Sequence, residues 1–438
     1  MGAISLPLGP YCSESELNYY PDQASSPSQR IPIIDITRGV AVLGIAIMNI
    51  PEMAYPEDLV LDFYATDPGK GLDYWTGILQ EIFFAGKMRG LFTLLFGVSS
   101  VLILQKLEHS RPAGPHVSGA YFRRLAWLLV FGLLNAYVFL WWGDVLVKYA
   151  VLGIALFYFR KASFAVLAVA MLFCLGMLTL QPLAEYREMS DLRDDYLRVQ
   201  SEHASGGALG PGDPGIVDEW QQSRADMLPE QAYIEEEIET KTGPYPDIFL
   251  DNTSRALEEQ TVIFYREDVW DMGLYMLLGI ALLRAGFFTG GVNRRLLLAI
   301  AAIGIGTGLL VHTWMTLGLY RNFLDPVESR YFLIFEEPGR LPLVLGYVSL
   351  ILLVFGTPHL RRCGDWMAAT GRLALSNYLL QSLLGAFIFY GFGLALFNQL
   401  SRMVLVELEY LDKLTNSGPI GLPTLQFSQQ LFVDRRPV

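Results

Sequence analysis

The sequence predicts an all-α fold, a polytopic transmembrane helical bundle of about nine spans with a large acidic extracytoplasmic insert. Composition is the first observation behind it. Of 438 residues, 52% are hydrophobic and only 17% charged, where a soluble chain carries roughly a quarter charged residues; mean hydropathy is +0.34. The second is the recurrence of long apolar runs, which in lipid are satisfied by helices that pair their own backbone groups. The third is the alternation of basic and acidic connections between those runs.

Residues 1–29 are polar, with Pro and Ser and neither a basic n-region nor an apolar h-region. We read them as a disordered cytoplasmic tail and expect no cleaved signal peptide. The first span, Arg30–Met53, reads RIPIIDITRGVAVLGIAIMNIPEM. It keeps Asp35 and Arg38, although a charge at the centre of a membrane helix costs about 3 kcal/mol on insertion scales. Their spacing puts them on one helix face. They form either an ion pair that anchors the helix at the headgroups or a polar site within the bundle.

An acidic loop follows at 51–73. The segment YWTGILQEIFFAG then reads as an interfacial aromatic helix, and KMRGLFTLLFGVSSVLILQ, which opens with Lys87 and Arg89, as the second span. A basic linker, 106–124, leads to a third span at about 121–141. The tight turn Trp141–Asp144 returns the chain through a fourth span to Phe159, and a fifth covers about 162–180. Residues 30–180 thus form a first bundle of about five spans.

Residues 181–263 are acidic, punctuated by Pro and Gly, and amphipathic in places, which makes them surface helices of an insert. Apolar runs resume at about 265–287, 294–320, 339–356 and 368–397. Residues 264–400 therefore make a second bundle of about four spans. Residues 401–438 form an atypical C-terminal tail that contains no run long enough to span.

Lys and Arg cluster at 106–124, 160–161, 284–295 and 361–372, while 51–73, 141–144, 181–263 and 321–338 carry the acidic excess. By the positive-inside rule the N-terminus is cytoplasmic and the insert lies outside. The net charge of −12 gathers in those outer segments, and nucleic acid is not an expected partner. Cys12, Cys174 and Cys363 suggest no disulfide framework.

Polar residues within the spans sort by depth. Asp35, Arg38 and Arg372 lie toward the cytoplasmic side; Asn49, Lys87, Asp144, His312, Glu267, Asp268 and Asp271 lie toward the outer side. Asn377 and Gln381 sit deeper and share a helix face. Each has a purely structural alternative. Lys87 can snorkel to the headgroups, Asp144 can cap a helix, and His312 can be a satisfied bundle histidine. Arg123, Arg124, Arg361 and Arg362 are first of all topology determinants. No metal-ligand, nucleotide-loop or nucleophile-elbow pattern is present, so no bound cofactor or metal is expected.

The strings IIDITRGVAVLGIAIMNI, FAGKMRGLFTLLFG, GDVLVKYAVLGI and TGRLALSNYLLQSLLGAFIFYG resemble the signature blocks of the YeiB-like family of bacterial inner-membrane proteins, also named for domain of unknown function 418. Asp35, Arg38, Gly39 and Asn49 match its first block, and Gly86, Lys87, Phe96 and Gly97 its second. Gly143 and Asp144 match the third; Gly371, Arg372, Asn377, Tyr378 and Gln381 match the last. The first block is also similar to that of heparan-α-glucosaminide N-acetyltransferases. That resemblance implies acyl transfer in the bacterial inner membrane, from a cytosolic donor such as acyl-CoA to an envelope glycan, lipid or small-molecule acceptor outside.

On this expectation Asp144 or His312 is the catalytic base. Asp35, Arg38, Asn49, Lys87, Arg372, Asn377 and Gln381 bind donor or substrate, with Arg38 and Arg372 steadying an anionic donor. The alternatives are a transporter of a small solute and a non-catalytic membrane scaffold or sensor.

Overall fold

The computed structural model describes residues 31–61, 71–110, 115–205, 210, 212–227, 231–322, 325–357 and 360–405. The expected tail 1–29 and all of the C-terminal segment beyond residue 405 lie outside these. Among the described residues all regular structure is helical.

Helix α1 is Pro32–Ala54, with proline at its first turn, where the missing N–H is not needed. A short α2, Glu57–Leu61, follows. Next come α3, Leu72–Phe83, and α4, Lys87–Ser110. They are separated at Phe84–Gly86, where Gly86 takes a φ of +68° that only glycine adopts without strain. Then come α5, Pro115–Tyr137, and α6, Leu146–Phe159.

Helix α7, Phe164–Ala204, is one unbroken helix of 41 residues, about 60 Å long. The expected fifth span and the first part of the insert are therefore continuous. Helices α8, Asp213–Ala225, α9, Gln231–Thr242, and α10, Tyr245–Glu258, complete the insert. A π-helical stretch, Glu259–Asp268, feeds α11, Val269–Arg284. The chain ends in α12, Arg294–Arg321, α13, Pro326–Leu333, α14, Glu336–Phe355, α15, Arg361–Arg372, and α16, Ala374–Phe389.

Among the described residues, six segments are long and apolar enough to cross a membrane: α1, α3 with α4, α5, α7, α12, and α13 with α14. The pair α15–α16, bent by 73°, makes a seventh if taken as one span. The remaining two expected passes fall on short helices. Helix α6 has 14 residues. Helix α11 has 16, because the charged stretch before it, with Arg266, Glu267 and Asp268, is wound as a π-helix.

Outside the bundle the surface is apolar to an extent soluble proteins avoid. Trp127, Leu133 and Leu134 on α5, Val169, Leu172 and Phe173 on α7, and Ile303 and Leu310 on α12 are all exposed. Such a belt suits contact with lipid. Inside, helices touch through glycine, as membrane helices do when van der Waals packing replaces the hydrophobic effect. A Cβ on Gly97 of α4 would stand 2.2 Å from the Met276 carbonyl oxygen of α11, and one on Gly279 would stand 2.1 Å from that of Leu94. Helix α11 is the enclosed one, with Met272, Tyr275, Met276 and Ile280 fully buried.

The insert is docked, not loose. Asn252 on α10 donates to the Ala136 carbonyl at the end of α5 (2.7 Å), and Tyr245 donates to that of Val138 (3.0 Å). Trp220 on α8 stacks on Tyr196 of α7 at 5.7 Å. Near the end of the described chain, buried Arg402 donates to the carbonyls of Leu59 and Val60 and lies 5.1 Å over the Tyr55 ring.

Candidate functional site

A cavity of about 330 Å³ opens at the acidic end of the bundle. Helix α1 contributes Ile45, Met48, Asn49 and Glu52, whose spacing puts them on one helical face. The break between α3 and α4 contributes Phe84, Ala85 and Gly86, and the ends flanking it contribute Glu81 and Arg89. The turn between α5 and α6 adds Trp141, Trp142 and Gly143, and α6 adds Lys148 and Tyr149. Glu259, Glu336, Arg340 and Tyr378 close the lining.

The tryptophan turn is held by one hydroxyl. The Trp141 indole N–H donates to Tyr378 Oη (3.2 Å), the Val145 amide does the same (3.3 Å), and Tyr378 donates onward to Asp144 Oδ1 (3.5 Å). Asp144 also accepts from Asn135 Nδ2 (2.8 Å) and from the Val147 amide (3.0 Å). Its carboxylate thus caps α6 and faces protein on every side, with no exposure. Burial pushes its pKa up to about 6, against the opposing pull of the Val147 and Asn135 hydrogen bonds.

Behind the cavity runs a chain of ion pairs. Arg89 pairs with Asp271 (2.7 Å) and Asp268 (3.3 Å). Lys148 pairs with Glu259 (2.6 Å) and with Asp268. Arg340 pairs with Asp271 (2.7 Å), Glu337 and, more distantly, Glu336 (3.5 Å). Tyr275 donates to Glu337 (2.7 Å). Three cations meet five carboxylates, and the tie runs across α4, α6, α11 and α14. Such a network, taken out of water, demands that its members stay together.

Of the residues singled out from sequence, Asn49 lines this cavity. Asp144 stands directly behind the tryptophan turn. Lys87 is buried next to it and donates to the Glu81 carbonyl (2.7 Å). His312 is buried between α12 and α14, against Gly339, and neither ring nitrogen has a hydrogen-bond partner.

Asp35 and Arg38 form an ion pair of 2.8 Å, and Arg38 also donates to Ser99 Oγ (2.6 Å). They lie at the opposite end of α1, toward the Lys/Arg-rich connections, with Asp35 about 21 Å along the axis from Asn49. Arg372 is exposed at the end of α15. Asn377 donates to the Thr370 carbonyl (3.2 Å), and the buried Gln381 Oε1 has no partner. The candidate donor- and substrate-binding residues are thus divided between two ends of the bundle, as their depth in the spans implies.

Sequence reasoning missed Glu52, Glu81, Lys148, Tyr149 and Arg340. The sequence places Glu52 in the acidic loop 51–73 and Glu81 in the interfacial aromatic helix, and it singles out neither Lys148 nor Arg340. The signal that was available is four-residue spacing, since Asn49 and Glu52 continue the face of Ile45.

The strings from the sequence meet here. Asn49 from the first, Gly86 from the second, Gly143 from the third and Tyr378 from the fourth all line the one cavity. Residues 282–410 match the family described as "Protein of unknown function (DUF418)". The chain is 24% identical over 387 residues to the uncharacterized protein YxaH of Bacillus subtilis (strain 168), covering 86% of each. It is 25% identical over 397 residues to the uncharacterized protein YeiB of Escherichia coli (strain K12), covering 86% of this chain and 88% of that one. These matches support a YeiB-like DUF418 family. No solved structure matches it. The four strings are thus far apart in sequence and adjacent in the fold.

Proposed function

We propose that this DUF418 protein is a membrane acyltransferase of the bacterial inner membrane, and that the cavity at its acidic end holds the acceptor. The observation that carries the reading is the convergence of all four signature strings on that cavity. It is large enough for a small molecule or the end of a larger one. In this reading the N-terminus is cytoplasmic, as the basic connections imply. The chain makes nine passes, counting α6, α11 and the bent α15–α16 pair, and the cavity lies near the outer face.

The acceptor's proton goes to Glu52. Its carboxylate lines the cavity, whereas those of Asp144 and the ring of His312 are enclosed in protein. Removal of that proton leaves the acceptor heteroatom free to bond the acyl carbon as the donor thioester C–S bond breaks, and the thiolate leaves with the proton. The donor, a cytosolic acyl thioester such as acyl-CoA, is a substrate and not a resident cofactor. Arg38 and Arg372 remain its candidate contacts at the other end of α1.

Transport is the second reading, favoured by two discontinuities, the break at Phe84–Gly86 beside the cavity and the 73° bend between α15 and α16. Broken helices of this kind line solute sites in transporters. The deciding experiment compares envelope lipids and glycans from a deletion strain complemented with wild-type protein or with Glu52→Gln. An acyl modification that is lost on deletion and restored by wild type alone supports acyl transfer. Identical acyl profiles in all strains would overturn it.

A further inference from the structure

The cavity wall carries an unbalanced charge. Arg89, Lys148 and Arg340 line it together with Glu52, Glu81, Glu259 and Glu336, but Lys148 and Arg340 are committed to the wall itself. Lys148 and Arg340 keep only 4% and 5% of their side-chain surface exposed. Their partners include Asp268, Asp271 and Glu337, which sit behind the lining. The three cations are thus already outnumbered by the five carboxylates that they touch.

Glu52 and Glu81 come in addition. No ion pair joins the carboxylate of either residue among the described residues, and both line the cavity. Lys87, the nearest further cation, spends a hydrogen bond on the Glu81 carbonyl and is itself buried. Carboxylates held in a space closed in by protein on most sides are costly without a counter-charge.

The rest of the wall is aromatic. Phe84, Trp141, Trp142, Tyr149 and Tyr378 line the same space. Tyr149 is held in place by a 2.5 Å hydrogen bond with Thr93, and Trp141 by Tyr378. Aromatic faces attract cations through the ring quadrupole, most strongly where water is excluded. A space that joins more carboxylates than cations, with Arg89 acting on Glu52 and Lys87 on Glu81, to fixed aromatic rings selects against anions and favours organic cations over neutral molecules of the same shape.

We infer that the cavity binds a small organic cation, a molecule carrying an ammonium group that pairs with Glu52 and Glu81 and stacks its apolar part on the aromatic wall. This rests on the reading of the cavity as the acceptor site and adds the chemical class of what enters it. Arg89, which keeps 39% of its side-chain surface exposed, is placed to meet an oxygen on the same ligand.

The test is thermal stability and calorimetric binding of the purified full-length protein with three probes of one shape: phenethylammonium, 2-phenylethanol and phenylacetate. The cation alone should bind and raise the melting temperature. Glu52→Gln should weaken that binding roughly tenfold to a hundredfold, the loss expected for one hydrogen bond to a charged group. Glu81→Gln is the second variant, so that a misfolded first one does not end the test, and melting without ligand reports folding of both. Equal binding of the alcohol, preferred binding of phenylacetate, no binding of the cation, or full cation affinity in both folded variants would each overturn the inference. Cation binding without any acyl change in the deletion strain would remove acyl transfer and leave the ligand class standing. A lost acyl modification without cation binding would do the reverse.

Discussion

Gly371 on α15 lies so close to α1 that a Cβ added there would stand 1.9 Å from the Asp35 carbonyl oxygen. The contact is reciprocal, since a Cβ on Gly39 would stand 2.0 Å from the Met367 carbonyl oxygen. Both atoms met are backbone, so no side chain can swing aside. Gly371→Ala must therefore separate the two helices, at a cost of about 1–3 kcal/mol or more. Gly176 on α7, with nothing within 4 Å of its own Cβ position, is the control. Thermal unfolding in detergent should show Gly371→Ala several degrees below wild type and Gly176→Ala at or above it, because alanine is the better helix former.

Asp35 and Arg38 form a compensating pair at the same crossing. Replacing either alone strands the other, at several kcal/mol if water does not reach it. Asp35→Asn and Arg38→Gln should each lower the yield of folded, extracted protein, and the double variant should recover much of it. The recovery is incomplete, because Arg38 also bonds Ser99. Near-wild-type yield for both single variants would mean that the pair is solvated at the headgroups and holds no site.

Lys148 ties α6 to the π-helical stretch through Glu259 and Asp268. Lys148→Met leaves Asp268 with only the longer contact to Arg89 (3.3 Å), and truncating one member of a buried pair costs about 3–5 kcal/mol. The combination with Asp268→Asn should cost less than Lys148→Met alone, a coupling that a double-mutant cycle measures directly. Strict additivity would dissolve the network into independent contacts.

Asp144 makes stability depend on pH in a stated direction. Its carboxyl is held up at about 6 by burial, from an ordinary 3.8, so the folded state keeps a proton that the unfolded chain has released. The stability tied to this group is then fully present below about pH 4 and falls as the pH rises through about 6. The swing is roughly 3 kcal/mol. Melting temperatures across that window should favour wild type over Asp144→Asn increasingly as the pH falls, and a constant difference would contradict the assignment.

Orientation is open to labelling. In a background lacking the native cysteines, a cysteine at Ser205, at the end of α7, should react with an impermeant reagent in intact cells. One at Ser118, at the start of α5, should react only after permeabilisation. The reverse pattern would invert the bundle and place the cavity on the cytoplasmic side.

The sequence by itself determined the class. Apolar runs of helical length and sparse charge leave no other solution in lipid, since every backbone group must be paired within its own segment. Local chemistry was equally legible: the turn Trp141–Asp144, the break before Lys87, and the matching of Asp35 with Arg38 all depend on neighbours along the chain.

What only the tertiary structure decided is which distant groups share a space. Glu52, Lys148 and Arg340 are far apart in the sequence, and α1, α6 and α14 bring them to one cavity wall. Hydropathy is a property of each segment and survives reading in one dimension. Charge compensation belongs to pairs separated by a hundred residues or more, such as Lys148 with Asp268, and it exists only once the helices have packed.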